Sequence, residues 1–265
     1  MIDIITAIFV FILGLSVGSF ANVCIYRIPL KKSLVRPRSS CPKCNTPIKP
    51  WHNIPILSFI ILGGKCKYCG EKISRRYPII ELISGILYLW AFYRLFYLEH
   101  NLYMFIAALY LSTAFLIIFF IDLDYKIIPD SISVSGIVIG FAFSFLPGMT
   151  LSWLQALIGI VVGGGLFYAV AEIGDRIFKK ESMGGGDIKL AAMMGAFVGW
   201  KGILLIMGIG SFLGAVIGGL ALAMAKDKES ARMVPFGPFL VTAAIIVFYW
   251  GNDLIRAYLK FAGMQ

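Results

Sequence analysis

Two aspartates and four cysteines are the residues of this chain whose types and spacing could do chemistry. The aspartates are Asp122, in FFIDLDYKIIPD, and Asp187, in MGGGDIKLAAMMGAFVG. They lie 65 residues apart, yet each stands where a long apolar stretch ends or begins. An ionisable group at the edge of hydrocarbon is costly and marks a functional position by default. Two carboxylates brought together cannot both ionise cheaply, so they share a proton. The ionised member can take a proton from water while the protonated one polarises a carbonyl, as in an aspartic protease. A proton relay in a transporter uses the same residues at the same depth, so the aspartates alone leave both readings open. The glycines before Asp187 sharpen the question. Asp187 could cap a helix by itself, whereas Gly184, Gly185 and Gly186 bury no side chain. They would let a substrate backbone or a neighbouring helix come close to Asp187.

The cysteines form CPKC and CKYC, two C-x2-C pairs with 21 residues between them. Two residues between cysteines let a tight knuckle turn both sulfurs onto one ion, and two knuckles complete a tetrahedral thiolate site. Cys41, Cys44, Cys66 and Cys69 are therefore the expected ligands of one metal ion, most simply zinc. The other readings are four reduced bystander thiols or a pair of disulfides. Asn45 and Gly70, which follow the knuckles, tolerate the positive φ such a turn needs. Four thiolates close the coordination shell and leave no position for an activating water, so the metal folds its loop and is not the catalyst. Cys24, inside an apolar stretch, reads as a buried filler.

The elements that must position these groups are membrane helices. The chain of 265 residues is 59% hydrophobic and only 14% charged, with mean hydropathy +0.86. Soluble domains average about 25% charged residues. Apolar windows of bilayer-crossing length recur eight times, at roughly 4–26, 79–98, 103–121, 131–146, 151–172, 188–200, 203–225 and 234–251. The sixth is short and contains glycine. The first lacks a basic region before it and is too long for the apolar core of a signal peptide, so it reads as a retained span. The expected fold is an all-α polytopic membrane protein with about eight transmembrane helices. Its parts are a first helix at 1–26, a four-cysteine loop at 27–78 and a seven-helix core at 79–265.

Charge gives the orientation. The loops 27–78, 122–130, 174–189 and 226–232 hold 12, 1, 4 and 3 Lys or Arg, which is 20 of the 24 in the chain. Only Arg94, Lys201, Arg256 and Lys260 fall on the other side. The positive-inside rule puts the first set, with the cysteine loop and both aspartates, in the cytoplasm, and both termini outside. The net charge of +10 is then a matter of topology, and no nucleic-acid partner is invoked.

The remaining polar residues have plainer readings. Pro129 stops one element and Asp130 or Ser131 caps the next. Asp124 is solvated at the interface, with Lys126 as a partner, and Glu172 and Asp175 are solvated beside basic residues. Glu81 is either a snorkelling or internally paired carboxylate or a substrate contact. His52 and His100 stand alone. The glycines of GIGSFLGAVIGG suit close helix packing.

Taken in order, GSFANVCIYRIP, the two cysteine pairs, HNIPILSF, ISRRYPIIELISG, IDLDYKIIPD and GGGDIKLAAMMGAFVG resemble the type IV prepilin peptidases. These belong with the GxGD-type membrane aspartyl proteases, and the resemblance covers nearly the whole chain. It implies that the catalytic aspartates are Asp122 and Asp187, the latter following motif glycines Gly184 and Gly186. It implies cleavage of a basic leader from prepilins or secretion pseudopilins at the cytoplasmic face of a bacterial inner membrane. It also implies N-methylation of the new terminus with S-adenosylmethionine. Spacing and composition point to no methyl-donor site. Glu81 matches a family motif position.

Overall fold

The computed structural model describes residues 2–179, 183–224 and 235–263. Its main elements are α1 (Ile2–Arg27), α2 (Leu57–Ile61), α3 (Arg76–Ala91), α4 (Leu102–Tyr125), α5 (Asp130–Phe143), α6 (Trp153–Phe178), α7 (Gly185–Met224) and α8 (Gly237–Phe261). A wider π-helical stretch, Phe92–Leu98, prolongs α3. Among the described residues no strand forms, and the only pairings are two isolated bridges in the cysteine loop. Six helices are long and apolar enough to cross a membrane, and α5 is a shorter apolar helix. The longest, α7, is interrupted at Gly199, whose φ of 70° and ψ of 179° lie outside any helix. Counting its two parts separately gives the eight apolar segments that the sequence predicts.

The chain falls into two compact units, 1–117 and 118–265, with the boundary inside α4. In the first unit α1 and α3 run antiparallel. A Cβ on Gly14 would meet Gly85 and Tyr88, and one on Gly18 would meet Glu81 and Ser84. Small residues bring the two backbones into contact, which is how apolar helices associate without a hydrophobic driving force. Tyr88 and Thr113 share a hydroxyl hydrogen bond of 2.8 Å that ties α3 to α4.

In the second unit the contacts fix how the helices alternate. The last turn of α4 carries Asp122, and that level is here termed the aspartate end. From it α5 runs alongside the first part of α7: Asp130 pairs with Lys189, Gly136 abuts Met193, and Gly140 abuts Ala196 and Phe197. α5 therefore crosses to the level of Gly199. There α6 begins, its first turn closed by a capping box between Ser152 and Gln155. It returns antiparallel to α7, with Gly159 against Gly195 and Gly163 against Ala191. At both places the backbones touch directly, and any side chain would overlap a carbonyl.

The second part of α7 reverses direction. Gly202 lies near Val247 of α8, while Gly214 reaches Phe236 and Phe239 at its start. That start is bonded to Asp122. By Gly214 the chain is thus back at the aspartate end, and the break at Gly199 is a turn between two antiparallel helices. Only glycine takes that φ without strain.

Candidate active site

Asp122 is 5% exposed although it ends a helix. Its Oδ2 accepts the Gly237 N–H at 3.0 Å. Lys126, in the left-handed region at φ 55°, donates its amide to the Asp122 carbonyl at 2.9 Å and turns the chain out of α4. The connection then runs through Ile128 to the buried Pro129, which precedes α5 as its cap residue.

Asp187 stands in the first turn of α7. Its own amide donates to the Gly184 carbonyl at 3.0 Å, and the Gly184 amide bonds back to its carboxylate. Its Oδ1 is buried with no hydrogen-bond partner. The two carboxylates are close enough for the charge of Asp122 to act on Asp187. Residues 65 positions apart are thus brought together from the end of one helix and the start of another.

The glycines divide their work. A Cβ on Gly186 would come within 2.9 Å of Ile128, so this glycine admits the α4–α5 connection. Among the described residues, a Cβ on Gly184 would meet only the Asp187 carboxylate, at 3.4 Å, and one on Gly185 would meet nothing within 4 Å. The sequence reading missed Gly237. Its Cβ would sit 2.6 Å from Asp122 Oδ2 and 3.1 Å from Cγ, so a side chain there would displace the carboxylate. The available signal was FGPF, in which glycine precedes the proline of a helix start.

Asp130 requires a correction. The cap residue of α5 is Pro129, no side chain caps the helix, and Asp130 lies in the first turn. Its Oδ2 accepts from Lys189 Nζ at 2.7 Å, joining the starts of α5 and α7 beside Asp187. Glu81 is internally partnered. It is buried and accepts the Ile56 N–H at 2.7 Å, with Ser19 as a second donor. It thereby holds Ile56 at a positive φ of 59°, where the chain turns into α2.

The cysteine loop is built twice. Cys41 and Cys66 donate their amides to Thr46 and Glu71, and accept those of Asn45 and Gly70. Asn45 and Gly70 both have positive φ, at 54° and 71°. Isolated bridges Ser40–Pro47 and Lys65–Lys72 close the two knuckles, and Lys43 pairs with Glu71 at 2.7 Å. The four Sγ atoms lie within 4.8 Å of one another, and those of Cys41 and Cys69 are 3.8 Å apart. Sulfurs arranged tetrahedrally about 2.3 Å from an ion would be about 3.8 Å apart, so the residues fit a metal ion. The Thr46 hydroxyl and amide bring the Cys44 thiol down to about 6. Cys69 goes the other way: although the Glu71 amide favours its thiolate, desolvation and the other three sulfurs push it up to about 12. All four could ionise together only beside a cation that neutralises them. His52 stands apart from the cluster, edge-on to Trp51 and Tyr68.

An all-helical membrane protein with two carboxylates meeting at one end of its bundle and a four-cysteine loop is the class these features define. The chain belongs to the type IV leader peptidase family. Residues 12–95 match the bacterial Peptidase A24 N-terminal domain, and residues 109–219 match the type IV leader peptidase family itself. Among curated relatives, the prepilin leader peptidase/N-methyltransferase of Pseudomonas aeruginosa is 34% identical over 96% of this chain and 93% of its own length. That of Stutzerimonas stutzeri is 35% identical over 95% and 93%. The Myxococcus xanthus protein of the same name is 42% identical over 85% of this chain, which spans 66% of that relative. No solved structure matches the chain.

Proposed function

We propose that this protein is an aspartic endopeptidase of the bacterial inner membrane that removes the basic leader from type IV prepilins or pseudopilins at the cytoplasmic face. We read Asp122 and Asp187 as its catalytic residues. What supports this reading is that the start of α7 packs on the α4–α5 connection, within range of the charge of Asp122, in a chain whose relatives are named for prepilin cleavage.

The reaction follows from the pair. One aspartate, ionised, takes a proton from a water held between them, and the water oxygen bonds to the scissile carbonyl carbon. The other gives its proton to the carbonyl oxygen, forming a neutral tetrahedral diol. The first aspartate then protonates the leaving nitrogen, the C–N bond breaks, and the second recovers its proton from a diol hydroxyl. The products are a carboxyl end on the leader and a free amine on the mature protein. Gly184 and Gly185, which carry no side chain to obstruct it, are where an extended substrate backbone would pass Asp187.

Cys41, Cys44, Cys66 and Cys69 would hold one zinc ion, which shapes the 27–78 loop and takes no part in hydrolysis. Methylation of the new amine by S-adenosylmethionine follows the second half of the relatives' name. That cofactor supplies an electrophilic methyl group.

The test is conversion of a purified precursor by the purified protein in liposomes, with product masses read directly. Asp122→Asn and Asp187→Asn keep shape but remove acid–base function, so each should lower turnover at least about a thousandfold. Substantial cleavage by either well-folded variant would sink the pair.

A further inference from the structure

We infer that the start of α8 assigns the roles within the aspartate pair: Gly237 is a positioning residue whose amide holds Asp122 as the base, leaving Asp187 as the acid. This rests on the reading of Asp122 and Asp187 as the catalytic pair.

The first turn of a helix has amides without acceptors in that helix. In α8, Phe239 and Leu240 donate to the Phe236 carbonyl, and Pro238 has no N–H. The Gly237 amide goes to Asp122 Oδ2 at 3.0 Å, in a buried setting. A hydrogen bond to a charged acceptor is about twice as strong as one to a neutral acceptor, and the positive end of the helix dipole adds to it. The geometry also requires glycine. Any Cβ would stand 2.6 Å from the bonded oxygen, so the residue has no side chain because the carboxylate occupies that space.

Asp187 is treated differently. It also lies at a helix start, with the Gly184 amide beside it. Yet its Oδ1 is buried and receives no donor. A buried anionic oxygen without a donor is expensive, whereas a protonated one needs only an acceptor. Asp122 provides a negative charge nearby. Among the described residues, the neighbouring charged groups on these elements are the exposed Asp124 and Lys126 at the end of α4 and Lys189 on α7, engaged by Asp130 of α5.

In the hydrolysis, Asp122 therefore receives the water proton and later passes it to the leaving nitrogen. Asp187 delivers its proton to the carbonyl oxygen and recovers it as the diol collapses.

The test removes the donor without adding bulk. Glycolic acid in place of Gly237, introduced into the full chain by cell-free synthesis into liposomes, turns that amide into an ester. No intrahelical bond is lost, because this N–H has none. The expected result is a ten- to hundredfold lower kcat at the wild-type optimum, with KM for the precursor unchanged. The acid side of the pH–rate profile should move to higher pH by about one to two units. Gly237→Ala, which keeps the amide but drives Asp122 away from it, should displace the acid side in the same direction. An unmoved profile in either folded variant, whether turnover is unchanged or uniformly reduced, overturns the inference. Cleavage by Asp122→Asn or Asp187→Asn in the same assay would instead overturn the underlying pair.

Discussion

Asp122 and Asp130 bound the same short connection between α4 and α5, and their surroundings separate their roles. Asp122 is buried against an amide and beside a second carboxylate. Asp130 is exposed and pairs with Lys189, a lysine that is itself half in solvent. An exposed ion pair contributes about 0.2–1 kcal/mol. Asp130→Asn should therefore cost less than roughly fivefold in precursor conversion, measured beside Asp122→Asn under identical conditions. A loss as large as that of Asp122→Asn would mean that the Lys189 pair sets the position of Asp187. Much of this scale was legible in the sequence. A carboxylate at membrane depth is expensive wherever it stands, so Asp122 and Asp187 announce themselves. Gly237 does not, because its importance is an empty space 115 residues away from the side chain that fills it. Asp130 misled the reading because Pro129 already occupies the cap position.

At the scale of elements, the two cysteine knuckles and the glycine crossings show what periodicity can and cannot convey. The knuckles were legible because ligand spacing is local: two residues between sulfurs set the turn, and the positive φ of Asn45 and Gly70 follows. The glycines were harder. GIGSFLGAVIGG looks like a packing face, yet among the described residues Gly210 and Gly214 meet α8, whereas Gly208, Gly218 and Gly219 have no neighbour within 4 Å. The closest crossing is Gly159 on Gly195, where two backbones touch, and sequence alone does not pair those positions. The knuckles carry the prediction here. Between residues 28 and 79 only Cys41 and Ser58 are buried, so the loop has almost no core of its own. A metal ion held by the four cysteines would supply the order that the loop's own core does not. Cys66→Ser should abolish stoichiometric zinc in elemental analysis of the purified protein. It should also hasten proteolytic cutting within 27–78. The pH optimum of whatever cleavage remains should not move, because Asp122 and Asp187 belong to the other compact unit. Wild-type protein without metal, or a variant with an equally resistant loop, would contradict this role.

At the scale of the whole molecule, the alternation of helices carries the sidedness. The 14-residue α5 rises only about 21 Å, and α7 is a single unbroken stretch of hydropathy. Either could have been miscounted from sequence, and one error would put the C-terminus on the wrong side. The contacts within the second unit resolve the count. α5 leaves the aspartate end and reaches the level of Gly199, α6 starts at that level, and α7 turns there and returns by Gly214. α8 starts at Asp122 and passes Gly202 on its way out. The aspartate end thus includes 122–130 and the starts of α7 and α8, and the segments joined there carry most of the basic residues of this unit. Lys201, Arg256 and Lys260 lie toward the opposite end. With 20 of 24 basic residues on the first side, the aspartate end should face the cytoplasm. A periplasm-active reporter should be inactive when inserted within 31–75 and active at Gly148 or after Gln265. A cytoplasm-active reporter should give the reverse. The Gly148 fusion is the informative one, because it tests whether the short α5 crosses. Activity of the cytoplasmic reporter there would leave α5 on the aspartate side, reverse everything after it, and put Asp187 across the membrane from Asp122 and from the basic leader.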